Sequence, residues 1–311
     1  MERWRAEHLA VFSGRISDVK PYYKTRLGCA YLGDAYELCS KLPDESVNLI
    51  VTSPPFALVK KKRYGNKTAD RYIAWFSDFA RQFERILTAK GSLVVHVGGS
   101  WNKGRPTRTL YNFKLLLDLA TRFNVAQEFY WYNPAKLPSP AQWVTIKRVR
   151  VKDAVDPIWW FSKDSHPKAT NRRVLVKYSE SMRTLLSKGY NSGRRPSGHT
   201  ISDKGFSKDQ EGAIPSNLLT NLLSYSNTES TSRYMLRLRE AHIAPHPARW
   251  PWQIPKFFID FLTEKGDMVL DPFGGSNTTG AVAETLGRRW MSFEIVREYV
   301  RGSRFRFESL R

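Results

Sequence analysis

Apolar residues recur along this chain in two rhythms. Runs of β-branched and aliphatic side chains at 26–33, 47–52, 92–97, 125–132, 153–162, 268–271 and 290–294 predict seven strands. Between them, apolar positions return every three or four residues, as on one face of a helix. The clearest such stretch places Tyr72, Trp75, Phe76, Phe79, Phe83, Ile86 and Leu87 on one side and stops near Gly91. A second carries Leu110, Phe113, Leu117, Ala120 and Phe123. A third opens with Pro255 in its first turn, where a missing N–H costs nothing, and runs through Phe257, Phe258, Phe261 and Leu262 to Gly266. Strands alternating with helices predict an α/β fold, a seven-stranded, mostly parallel sheet with helices on both faces.

From about Asp164 to Pro245 the pattern breaks. Ser, Asn, Lys and Arg dominate, and Gly189, Gly193, Gly198, Gly205 and Gly212 interrupt any period. A stretch this long inside a compact enzyme is functional or disordered rather than a plain connection. The division that follows is a basic N-terminal arm over 1–25, a first half over 26–163, an insert over 164–245 and a returning half over 246–311.

Two turns stand out where predicted strands end. Val47-Asn48-Leu49-Ile50-Val51 leads into Thr52-Ser53-Pro54-Pro55-Phe56, and Met268-Val269-Leu270 leads into Asp271-Pro272-Phe273-Gly274-Gly275-Ser276-Asn277-Thr278-Thr279-Gly280. Ligands of open parallel sheets gather at such strand ends. Gly274 and Gly275 permit a tight turn and close approach of a ligand, and a helix starting near Asn277 aims free amides at it. Glu294 ends the next strand about 20 residues beyond the first glycine, the spacing at which an acid accepts from ribose hydroxyls; otherwise it is a solvated acid at a strand end. A phosphate-binding loop would need Gly-Lys-Ser/Thr, yet no Lys lies between Asp271 and Arg288. A dinucleotide fold would need Gly-x-Gly-x-x-Gly, also absent. S-adenosylmethionine, with ribose and adenine but no phosphate, fits.

These strings resemble the PvuII-type cytosine-N4 DNA methyltransferases, in the permuted order where the catalytic Ser-Pro-Pro-Phe precedes the cofactor loop. Tyr31-Leu32-Gly33-Asp34, Tyr64-Gly65-Asn66, Lys136-Leu137-Pro138-Ser139-Pro140, Arg195-Pro196-Ser197-Gly198-His199 and His246-Pro247-Ala248-Arg249 extend the resemblance from about Tyr31 to Tyr299. It implies a Rossmann-like methyltransferase domain with 164–245 as target-recognition region, and a cytosine flipped from duplex DNA. The cofactor-binding set it implies, together with the loop, is Asp34, Asp271, Phe273, Gly274, Gly275, Ser276, Asn277, Thr278, Glu294 and Pro247. Asp34 and Glu37 also read as a helix capping box, and the segment around Pro247 also reads as a proline-rich helix entry.

The catalytic set is Ser53, Pro54, Pro55, Phe56 and His96. The exocyclic amine of cytosine is a poor nucleophile because its lone pair is delocalised into the ring. The Ser53 hydroxyl and Pro54 carbonyl would accept its hydrogens and draw that pair out of the plane, with Phe56 stacking on the base. His96, ending Leu93-Val94-Val95-His96, is read either as a packed histidine or as the group that takes up the released proton. Methylation at cytosine C5 needs a Pro-Cys nucleophile, and neither Cys29 nor Cys39 has that context. Adenine-N6 methylation shares the amine chemistry, and a non-catalytic DNA-binding protein on the same scaffold is the alternative from another class.

Across 311 residues, 50 Lys and Arg against 29 Asp and Glu leave +21, and ten Trp lie among the basic residues. That balance favours a polyanionic partner, double-stranded DNA. Lys60, Lys61, Lys62 and Arg63 follow the first turn, and Arg194, Arg195, His199, Lys204 and Lys208 populate the insert. Each is a DNA-contact candidate, or else a solvated charge. Lys147, Arg148, Arg150 and Lys152 alternate with Ile146, Val149 and Val151, and read equally as part of a DNA surface or as the outer face of a strand. Two cysteines without zinc or disulfide spacing predict neither a metal site nor an oxidised framework. With no signal-like or membrane-spanning run, the expectation is a cytoplasmic, DNA-associated protein of bacterial type. A cognate restriction endonuclease is expected by analogy only, and monomer and homodimer stay open.

Overall fold

Strand pairing joins the predicted segments into one sheet in a computed structural model, whose described residues are 16, 18–58, 65–189, 193–201, 209–219 and 231–310. The strands are β1 (Tyr23–Lys24), β2 (Gly28–Leu32), β3 (Val47–Thr52), β4 (Leu87–His96), β5 (Asn124–Tyr132), β6 (Val155–Ser162), β7 (Gly193–Arg194), β8 (Thr200–Ile201), β9 (Met268–Asp271) and β10 (Arg289–Glu294). The helices are α1 (Ala35–Ser40), α2 (Ala69–Ile86), α3 (Tyr111–Leu119), α4 (Glu180–Lys188), α5 (Arg233–Glu240), α6 (Gln253–Leu262), α7 (Thr278–Thr285) and α8 (Arg297–Ser303).

The main sheet has eight strands in the order β1-β2-β10-β9-β3-β4-β6-β5. β2, β10, β9, β3 and β4 are parallel. β1 is antiparallel at one edge, and β6 is antiparallel to both β4 and β5. Seven strands were expected; the eighth is Tyr23–Lys24, too short for any alternation to register in sequence. Leu87 also departs from expectation. α2 stops at Ile86, and Leu87 takes extended geometry and begins β4 beside Val47.

Alternate strand residues feed two cores. One face carries Ile50, Leu93, Val95, Leu270 and Phe293 against α1, α2 and α3. α2 buries Tyr72, Phe76, Phe79, Phe83 and Ile86 there, each worth about 1.5–3 kcal/mol relative to exposure. On the other face Phe129 and Trp160 meet Phe257, Phe258 and Phe261 of α6. α3 turns most of its predicted stripe outward, although Phe123, just beyond its end, is buried as expected. Leu110, Phe113 and Leu117 are 59%, 50% and 70% exposed, while Tyr111, Leu115 and Leu119 face the core. Residues 146–152 form no strand; Gln142–Ile146 make a wide helical turn, and Ile146, Val149 and Val151 are exposed.

Thr170–Ser216 forms a separate compact unit, narrower than the predicted insert. It contains α4, capped by the Ser179 hydroxyl on Met182 N–H, and the hairpin β7–β8. Residues from Asn217 onward belong to the main unit. There Leu238 of α5 sits where Gly302 leaves room for it, and Arg237 pairs with Glu308 at 2.8 Å. No described helix is long and apolar enough to cross a membrane.

Candidate active site

The five parallel strands deliver their carboxyl ends to one cleft of about 580 Å3. β9 lies between β10 and β3, so the two special turns leave adjacent strands. Thr52, the last residue of β3, donates its hydroxyl to Asp271 Oδ1 at 2.8 Å. Asp271 in turn accepts from Thr279 Oγ1 at 2.7 Å and Phe273 N–H at 3.1 Å. The carboxylate expected to meet cofactor lines the cleft and also acts as a brace. It is buried and engaged on both oxygens, and burial pushes its carboxyl up to about 6. What it braces is the juxtaposition of Ser53 with Gly274 and Gly275.

Ser53, Pro54, Pro55, Phe56 and His96 all line this cleft. Ser53 Oγ lies 3.0 Å from His96 Nδ1. The imidazole is 4% exposed and boxed by rings: Phe56 and Trp131 edge-on at 5.3 and 5.4 Å, Trp250 stacked at 5.8 Å. Phe56 fits because Gly98 has no side chain; a Cβ there would sit 2.6 Å from the ring. Behind His96, its Nε2 lies 3.9 Å from Asp156 Oδ2, and both Asp156 oxygens accept from Lys136 Nζ at 2.7 and 2.8 Å. Burial opposes a charge on Asp156, but the adjacent His96 and the Lys136 ammonium outweigh it and hold the carboxyl at about 2.

On the other side of the cleft lies the glycine loop. Asp34, Asp271, Phe273, Gly274, Gly275, Ser276, Thr278, Glu294 and Pro247 line it, but Asn277 does not. Asn277 is fully buried in the left-handed region at φ 53, caps Gly280 N–H, and donates to Tyr23 Oη at 2.9 Å. Its side chain therefore shapes the turn instead of reaching a ligand. Gly274 serves packing as much as ligand approach, since a Cβ would lie 1.9 Å from Ser292 Oγ. Gly275, at φ +52, leaves room for the His246 ring, which a Cβ would approach to 3.2 Å. Burial lowers His246 to about 4, so it is neutral at physiological pH. Asp34 caps α1, accepting from Tyr36 and Glu37 N–H, while still facing the cleft. Glu294 accepts from Gly275 N–H at 2.9 Å and Val296 N–H at 2.8 Å, and burial pushes it up to about 7. Its remaining lone pairs face the cleft, where a ribose diol could donate. The loop's open backbone and an acid at its rim fit S-adenosylmethionine.

Other predicted contacts lie elsewhere. Arg194, Arg195 and His199 belong to the second unit, on the hairpin whose turn is closed by Arg195 N–H to His199 O at 2.8 Å. Lys60, Lys61, Lys62, Arg63, Lys204 and Lys208 fall outside the described residues. Among the described residues no acid, His and Cys cluster suits a metal ion. Sequence reasoning gave no role to Asp156 or Trp131, and met Lys136 and Trp250 only as members of strings that carry the family resemblance. For Asp156 the available signal was a charge opening an apolar strand, before Pro157-Ile158-Trp159-Trp160-Phe161.

A family model for DNA methylases matches residues 47–305. Type II methyltransferase M.PvuII of Proteus hauseri is 49% identical over 293 residues, 93% of this chain and 86% of the relative. Type II methyltransferase M.BamHI of Bacillus amyloliquefaciens is 27% identical over 90% of this chain and 57% of its own length. Among solved structures, PvuII DNA methyltransferase (cytosine-N4-specific) superposes with a TM-score of 0.75 at 43% identity, covering 93% of this chain and 89% of that one.

Proposed function

From the premise that this chain belongs to the DNA methylase family, we propose that its cleft transfers a methyl group from S-adenosylmethionine to the N4 nitrogen of a cytosine flipped out of duplex DNA. The observation that carries this reading is the tie between the two turns. Thr52 to Asp271 holds the Ser53 hydroxyl and the Gly274-Gly275 backbone on one cleft, large enough for a base beside a nucleoside cofactor. S-adenosylmethionine supplies, when bound, a methyl group activated by its sulfonium.

The protein's own groups do the rest. Ser53 Oγ and the Pro54 carbonyl accept the two amine hydrogens, which aims the nitrogen lone pair out of the ring plane. Phe56 and Trp250 offer apolar faces that exclude water and hold a base. Glu294 receives the ribose hydroxyls, and the neutral His246 ring keeps the glycine turn covered. Fixing the reactants in this order supplies up to about 7–11 kcal/mol of the barrier reduction. After transfer the amine carries one hydrogen too many. Ser53 passes that proton to His96 Nδ1, 3.0 Å away.

Thr170–Ser216 carries Arg194, Arg195 and His199 on its hairpin and is the target-recognition unit in this reading. Basic side chains there meet phosphates and guanine edges. A restriction endonuclease of matching specificity is the partner proposed by analogy, and the bacterial cytoplasm, where the DNA is, the location. The test is mass spectrometry of nucleosides from DNA treated with the purified protein and cofactor. N4-methylcytosine is expected; N6-methyladenine, or no modified base, overturns the assignment.

A further inference from the structure

We propose that Lys136 and Asp156 are positioning residues for the methyl-transfer reaction: they fix the tautomer of His96 and face the charge it acquires, so that a proton leaving the methylated amine can pass through Ser53. This rests on the reading of Ser53 as the acceptor of the amine hydrogen. The groups form one line. Ser53 Oγ is 3.0 Å from His96 Nδ1, His96 Nε2 is 3.9 Å from Asp156 Oδ2, and Asp156 is held on both oxygens by Lys136. All four side chains border the same cleft.

Nδ1 can receive a proton from Ser53 only if it carries a lone pair, which puts the hydrogen of the neutral ring on Nε2. Nε2 is buried and has no hydrogen-bond partner among the described residues. The nearest charge to it is the Asp156 carboxylate. A lone pair aimed at an anion is repelled and an N–H is attracted, so the carboxylate selects the tautomer that leaves Nδ1 free to accept. The 3.9 Å gap is the kind that shortens when a bound substrate completes the site. Charges on neighbouring elements are engaged elsewhere. Arg108 pairs with Asp153, Arg249 donates to the His246 carbonyl, Asp271 accepts from Thr52 and Thr279, and the Tyr111 hydroxyl donates to the Gly98 carbonyl.

The proton count closes. As the N–CH3 bond forms, the C–S bond breaks and its electron pair stays on sulfur, leaving N4 cationic with two hydrogens. One leaves as a proton to Ser53 Oγ while the proton of Ser53 moves to His96 Nδ1. The products are neutral N4-methylcytosine and an imidazolium whose positive charge faces Asp156. Lys136 keeps that carboxylate ionised and fixed, at the cost of weakening its pull on the ring. The proton passes to water when the cleft reopens.

The two replacements should therefore move activity in opposite directions along the pH axis. Transfer requires a free lone pair on His96 Nδ1, so the rate has an acidic limb. Asp156→Asn removes an anion that favours imidazolium and should move this acidic limb down by about one pH unit. Lys136→Met removes an opposing cation and should move it up. The experiment measures transfer of labelled methyl to unmethylated phage-type duplex DNA from pH 5 to 9, with the full chain and saturating cofactor. For Asp156→Asn, kcat at neutral pH should fall at least tenfold while KM for cofactor and DNA stays within twofold. In a His96→Ala background Asp156→Asn should add nothing, and Asp156→Glu should recover part of the rate. If the limb does not move, or melting temperature and both KM values fall together with kcat, the pair is only a structural ion pair and the proposal is overturned. No transfer by the wild-type protein would bring down the function and this role together; transfer with an unmoved limb removes the pair's role alone.

Discussion

Glu294 offers a measurement that separates the energetics of the cofactor half from catalysis. Its carboxyl titrates at about 7 in the fold against 4.5 ordinarily, chiefly because burial penalises the charge, partly offset by the amides of Val296 and Gly275. The folded state thus binds this proton more tightly than the unfolded chain does. The stabilisation is fully present below about pH 4.5 and is lost as pH rises through about 7. A displacement of that size corresponds to up to about 3 kcal/mol across the window. Net charge changes stability over the same range, so the informative quantity is a difference between two proteins. Glu294→Gln cannot ionise, and its amide oxygen still accepts one of the two backbone N–H groups. Urea unfolding of both, without cofactor, should show the wild type losing about 2–3 kcal/mol relative to the variant between pH 4.5 and 8.5. A constant difference, or one growing in favour of the wild type, would refute the reasoning. The ionised carboxylate is also the form that accepts from ribose hydroxyls, so cofactor should bind the wild type more tightly as pH rises to 7 and show no such trend with the variant.

Four further outcomes follow from the geometry. Ser53→Ala should lower turnover about 100-fold with cofactor affinity unchanged, as read by labelled methyl transfer and calorimetry, because one acceptor for the amine is lost. Thr52→Val keeps the shape but strips a donor from buried Asp271; unfolding free energy should fall by about 1–3 kcal/mol, and an unchanged value would mean the brace is idle. Gly274→Ala should abolish cofactor binding and lower the melting temperature. Adding Ser292→Ala should restore part of both, since Ser292 Oγ at 1.9 Å is the nearest obstacle to the new methyl and the next atom lies at 3.2 Å. Arg194→Ala should weaken binding to all duplexes in filter assays and reduce the slope of log affinity against log salt by about 1 if the side chain meets a phosphate; an unchanged slope would assign it to solvent or to a base edge.

The features legible in the chain were those written over short distances. A buried parallel strand is a continuous apolar run, and a turn with special backbone needs Gly, Pro or Asn within a few residues. Hence the seven strand segments and both turns could be located, and so could the capping of α1 by Asp34. Faces were harder. In α3 the apolar residues Leu110, Phe113 and Leu117 compete with Tyr111, Leu115 and Leu119, and a period of 3.6 fits either set. Only the sheet decides, burying the second set and leaving the first exposed.

Least legible was which partner a polar side chain takes. Asp271 and Asn277 belong to the cofactor loop by sequence, yet their partners are Thr52 and Tyr23, 219 and 254 positions away. Nothing local announces that an acid of such a loop also ties two turns together. Lys136 and Asp156 show the same limit at shorter range, 20 positions apart and joined across the end of an antiparallel strand pair. In an open parallel sheet every strand end is a place where chemistry can be put. Some of the polar residues gathered there must hold the others still. In the proposed reaction the hydroxyl of Ser53 is one atom; the groups that would aim it and drain its proton come from β3, β4, β6, β9 and the loop after β5. That division of labour is why two short motifs suffice to locate the cleft but only the fold can say which of their residues touches the reaction.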